Sequence, residues 1–77
     1  MAIKYYKLLD MLQRKEISKG EFAKMTGFSS ATVAKLSTHK PVNMEIIDRI
    51  CKVFSCQPGD LIEYIPDDEK ELTNRTN

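Results

Sequence analysis

The sequence predicts a mainly all-α fold, a compact bundle of about five short helices with a small two-stranded β ribbon available from its N- and C-terminal segments. Three observations carry this. Apolar residues recur at helical spacing in several separate stretches. Serine, asparagine and glycine stand where helices start and stop. A chain of 77 residues with 42% apolar and 30% charged content fits one small globular domain. So short a chain buries only about 60% of its unfolded surface, which makes the core thin.

The first helix spans residues 5–15. Tyr5, Leu8, Leu9 and Leu12 share one stripe with Met11 beside them, and the stretch ends near Arg14, Lys15 and Glu16. The second begins at about Lys19. Ser18 and Glu21 form a capping box, in which each side chain serves the other's backbone amide, and Ile17 and Phe22 sit where a hydrophobic staple belongs. Phe22, Ala23 and Met25 are expected to face inward, with Lys19, Glu21 and Lys24 outward. Gly27 ends this helix, because it accepts positive φ without a Cβ clash. Phe28 then enters the core.

Ser29 or Ser30 caps a third helix over residues 30–37, in which Val33 and Leu36 share the buried face. Ser29, Ser30, Thr32, Lys35, Thr38, His39 and Lys40 are left for solvent or a partner. Ala23 is placed for the closest approach of two crossing helices, and Ala31 and Ala34 keep the third helix slim. A fourth helix starts after Asn43, with Val42 and Ile47 as its staple and Glu45 in its first turn. Its expected buried face is Ile46, Ile47, Ile50, Val53 and Phe54. Gln57-Pro58-Gly59-Asp60 breaks the chain and leaves one short final turn at about Pro58–Leu61. Ala2–Tyr5 and Leu61–Ile65 are β-prone. They can pair with each other, or add to a second copy across a dimer axis. The domain is expected to occupy residues 1–66, and the polar stretch 67–77 to be a flexible tail.

The segment from Ser18 to Ser37 is therefore a helix-turn-helix. It resembles the Cro/Xre-type, lambda-repressor-like regulators. Counted from Lys19, that pattern asks for alanine fifth, glycine ninth, and apolar residues fourth, tenth, fifteenth and eighteenth. The chain supplies Ala23, Gly27, Phe22, Phe28, Val33 and Leu36. The eighth position, often apolar, is Thr26, a departure that Met25 is expected to offset by filling the space. The likeness continues from Asn43 to Tyr64 and covers about residues 3–66.

The resemblance implies a double-stranded DNA partner. Lys19 would then stand near a phosphate at the N-terminus of the second helix. Ser29, Ser30, Ala31 and Thr32 would open the helix that enters the major groove, roughly 12 Å wide. Lys35, one turn on, would reach guanine or backbone, and Thr38, His39 and Lys40 would face phosphates. Reading positions that often carry Gln, Asn or Arg hold short residues here, so direct readout is expected to be weak and DNA shape to matter more.

Charge is compatible with this. Net charge is only +1, yet residues 1–40 hold eight Lys/Arg against three acids, while residues 41–77 hold four against eight. Cys51 and Cys56 match no zinc or redox spacing, so no metal or cofactor is expected, and Cys51 is read as core filler. No triad, phosphate loop or paired carboxylate points to an enzyme, and no small-molecule substrate is evident. With no apolar run long enough to cross a bilayer and no signal peptide, the expected location is the cytoplasm. The resulting expectation is a transcriptional regulator acting as a repressor and as a homodimer. The competing one is a protein-interaction module, such as an antitoxin-type or dimerisation domain.

Overall fold

A computed structural model describes residues 2–66; the expected tail, 67–77, lies outside the described residues. The order is β1 (Ile3–Lys4), α1 (Tyr6–Arg14), α2 (Lys19–Thr26), α3 (Ser30–Ser37), α4 (Met44–Phe54), a 3-10 turn (Pro58–Asp60) and β2 (Glu63–Tyr64). The described residues thus hold four α-helices rather than about five. What stands in the fifth place is a single turn, opened by Pro58, whose first amide at Gln57 is taken by the Asp60 carboxylate at 3.0 Å. No helix among the described residues is long and apolar enough to cross a membrane.

Helix α1 starts one residue later than its apolar stripe suggests. Tyr5 has φ −108° and ψ 29°, outside the helical region. Its N–H donates to His39 Nδ1 at 3.0 Å, so it is held by a tertiary bond. A first-turn amide of α1, that of Leu8, finds no intrahelical acceptor and donates to the Leu61 carbonyl at 3.2 Å. At the other end Ile17 N–H reaches back to the Leu12 carbonyl at 2.9 Å while Glu16 turns through φ +58°.

The core gathers one stripe from each of the four helices, with Tyr5 and Leu61 added from the segments between elements. Tyr5, Leu8, Phe22, Leu36, Ile50 and Leu61 are all buried at its centre. Each such burial is worth about 1.5–3 kcal/mol relative to exposure. The Phe22 ring packs edge-on against Phe28, with centroids 5.8 Å apart, and nearly parallel to Phe54 at 6.1 Å. On α4 only Ile47 and Ile50 are fully buried, while Ile46, Val53 and Phe54 are half-buried. Cys51 and Cys56 are free and half-buried. Burial, then the neighbouring Cys51, pushes the Cys56 thiol up from its ordinary range.

One inward assignment is corrected. Met25 is 47% exposed, and Thr26 is buried in its place at 1%. A short helix has room for one inward column here, and Phe22 and Thr26, four apart, occupy it. Burial of the hydroxyl is tolerated because Thr26 Oγ1 donates to the Phe22 carbonyl at 2.8 Å. The ribbon does form within the chain, antiparallel, with Ile3 opposite Tyr64 and Lys4 opposite Glu63.

These placements separate two substitutions of similar size. Phe22→Ala is expected to cost about 3–5 kcal/mol in urea unfolding. Met25→Ala is expected to stay within about 0.5 kcal/mol. Comparable costs at the two positions would contradict the assignment of the inward column.

Candidate nucleic-acid interface

The capping box forms as the sequence demands. Glu21 N–H donates to Ser18 Oγ at 3.1 Å, and Ser18 N–H donates to Glu21 Oε1 at 3.2 Å. Helix α2 ends at Gly27, which has φ +79°. Its N–H closes the last turn onto the Ala23 carbonyl at 2.8 Å. The Thr26 carbonyl, left without an intrahelical partner at this end, accepts from Arg49 Nη1 of α4 at 2.7 Å. A cation at a helix C-terminus also suits the helix dipole. Residues 26–28 are thus held from below by α4, and this fixes where α3 begins.

Of the two serines left open by the sequence, Ser29 is the cap. Its backbone is extended, its Oγ accepts from Thr32 N–H at 3.2 Å, and its hydroxyl donates to Thr32 Oγ1 at 3.3 Å. Val33 and Leu36 are buried, which leaves Ala31, Ala34 and Lys35 exposed on the opposite side of α3. Ser30 is exposed, and Thr32 is half-buried. A shallow depression lined by Lys19, Ala23, Ser30, Ala34 and Ser37 joins the N-terminus of α2 to one flank of α3. Lys19 is therefore brought beside the third helix, as an interface shared by both helices requires. Ala23 lies in that depression, where its small side chain lets the two helices meet.

The loop after α3 is less open than the sequence suggests. Thr38 is exposed, but its hydroxyl donates to the Ala34 carbonyl at 2.7 Å. His39 is half-buried with φ +59°, and its ring lies near those of Tyr5 and Tyr6 at centroid distances of 6.0 and 4.5 Å. Lys40 is exposed. Among the described residues the ion pairs are Arg14–Asp10 on α1 and Lys52–Asp48 on α4. Lys19, Lys35 and Lys40 belong to neither, so their charges remain available to an anionic partner.

Two residues that hold this surface, Arg49 and Tyr5, give no local sign of that role in the sequence. Both act through bonds to residues 23 or more positions away. The one hint is Arg49 itself, a cation bordering the apolar stripe of α4.

The model of the Cro/C1-type HTH DNA-binding domain family matches residues 7–67. The Bacillus subtilis (strain 168) protein YozG, described as an uncharacterized HTH-type transcriptional regulator, is 31% identical over 61 residues, which is 77% of this chain and 73% of that protein. The crystal structure of transcriptional regulator VanUg, Form II, is similar with a TM-score of 0.79 and 33% identity, over 86% of this chain and 88% of that one.

Two glycines test the turn. A Cβ at Gly27 would meet Arg49 Nη1 at 3.6 Å, an ordinary separation, so the cost of Gly27→Ala comes from its φ of +79°. That cost is expected to be about 1–2 kcal/mol. Gly59 has open space around its missing Cβ and no positive φ. Gly59→Ala is expected to be neutral or to stabilise by up to about 1 kcal/mol. Chemical denaturation of both variants measures the difference, and equal effects would contradict the left-handed requirement at the turn.

Proposed function

The chain belongs to the Cro/C1-type HTH DNA-binding domain family, and from that premise we propose that it regulates transcription by inserting α3 into the major groove of duplex DNA. The observation that carries this reading is the outward side of α3. Ala31, Ala34 and Lys35 are exposed there, and Lys35 takes part in none of the ion pairs among the described residues. Two small residues beside one long cation let the helix approach bases closely while Lys35 spans to guanine or phosphate. Lys19 supplies a phosphate contact at the N-terminus of α2, strengthened by the helix dipole. Lys40 supplies another beyond the C-terminus of α3.

Ser29, Ser30, Ala31 and Thr32 face the first bases, with Ser29 also spent on capping. Thr38 and His39 border the backbone. None of these makes a two-pronged hydrogen-bonded match to one base, so a single copy discriminates modestly. Two copies related by a dyad double the contacts and read half-sites about 34 Å apart. In this reading the protein represses by occupying a promoter and excluding polymerase. The lysines fit DNA better than a protein partner, whose complex would not need the counterion release that three unpaired cations provide.

The test begins with fragments selected from random duplexes by the parent chain. Log affinity is expected to fall linearly with log salt, by about 0.9 for each phosphate neutralised. Lys35→Ala is expected to weaken binding about tenfold with helicity unchanged. The selected sites should be palindromic. Equal affinity of Lys35→Ala and parent for the selected site would remove α3 from the groove, and a tight complex indifferent to salt would favour a protein partner.

A further inference from the structure

We propose that Tyr5 is a positioning residue for the DNA-facing loop after α3, gripping it so that Lys40 is presented to a phosphate. This rests on the DNA-binding function proposed for α3. Tyr5 is 3% exposed and sits between β1 and α1, far from α3 in sequence. It nevertheless holds the loop at two points. Its N–H donates to His39 Nδ1 at 3.0 Å. Its hydroxyl donates to the Lys40 carbonyl at 2.7 Å. Burial pushes the phenol up from its usual range.

The loop needs such a grip because its own geometry is strained. Helix α3 ends with Lys40 N–H bonded to the Lys35 carbonyl at 2.8 Å and His39 N–H to that of Leu36 at 3.4 Å. This arrangement puts the intervening residue in the left-handed region, where glycine is the usual choice. Here it is His39 at φ +59°. A side chain there is strained, but glycine would leave the Tyr5 N–H without its acceptor. The imidazole also lies near both tyrosine rings. So the His39 ring and the Lys40 carbonyl are both held by one buried residue 34 and 35 positions away in the sequence.

What this does for binding is entropic. A lysine on a loose loop must order both loop and side chain when it meets a phosphate. A lysine on a loop already held by two bonds orders only its side chain. Removing the Tyr5 hydroxyl leaves the ring in the core but frees the Lys40 carbonyl. Of the bonds to phosphate, the one that weakens should then be that of Lys40.

A double-mutant cycle with Tyr5→Phe and Lys40→Met tests this, reading duplex affinity against salt. Lys40→Met is expected to reduce the salt slope by about one phosphate contact. Tyr5→Phe is expected to weaken binding several-fold and move the slope toward that of Lys40→Met. The double variant should bind within about twofold of Lys40→Met alone. Faster hydrogen exchange at the His39 and Lys40 amides, with helicity unchanged, would show that Tyr5→Phe folds and has opened the loop. Effects that add in full, or a Tyr5→Phe variant with parental affinity and slope, overturn the proposal while leaving DNA binding intact. A parent chain without salt-dependent duplex binding overturns the DNA-binding function and this proposal together.

Discussion

The reversal between α2 and α3 governs the rest of the structure. It occupies Thr26, Gly27 and Phe28, and three constraints meet there. Gly27 must be left-handed at φ +79°. The Thr26 hydroxyl must bond back to the Phe22 carbonyl to be buried, and the Thr26 carbonyl must be received by Arg49. Phe28 must turn inward onto Phe22. Satisfying all three leaves one direction for α3, and that direction points Ala31, Ala34 and Lys35 away from the core. A small domain has little hydrophobic surplus. It therefore defines the angle with a few specific hydrogen bonds rather than with mass.

Electrostatics follows from this placement rather than from composition. A net charge of +1 gives no long-range pull on a polyanion. The fold instead brings Lys19 beside α3 through the shared depression. The ion pairs on α1 and α4 are fully on the surface and i,i+4, worth a few tenths of a kcal/mol each. They serve the local helices and do not engage Lys19, Lys35 or Lys40.

Much of this was legible in the sequence because it is local. The Ser18–Glu21 box and Asn43 fixed helix starts through bonds spanning three residues. Gly27 announced its own turn. What stayed hidden was of two kinds. Some helix ends are left-handed without glycine, at Glu16, His39 and Ser55. Each sits in a local C-terminal turn, in which the next residue's N–H bonds back to a carbonyl five positions earlier, and no glycine marks the place. The other hidden features are long-range grips, Tyr5 on the α3–α4 loop and Arg49 on the turn, invisible to any reading by spacing. Thr26 stands apart from both kinds. Its polar character argued against burial, and only the backbone carbonyl of Phe22 made burial acceptable. The surface of α3 was legible in outline because Val33 and Leu36 define the opposite face. Which serine caps it was not, since both can reach a free amide.

The central claim is that duplex DNA lies against the outward side of α3 and the N-terminus of α2. The most direct measurement is a map of backbone amide chemical-shift changes as a selected duplex is titrated into the labelled chain at low salt. The largest changes are expected at Lys19, from Ser29 to Lys35, and around Lys40. Changes centred instead on the ribbon of Ile3 and Tyr64 and the exposed Met44, with α3 silent, would contradict the account.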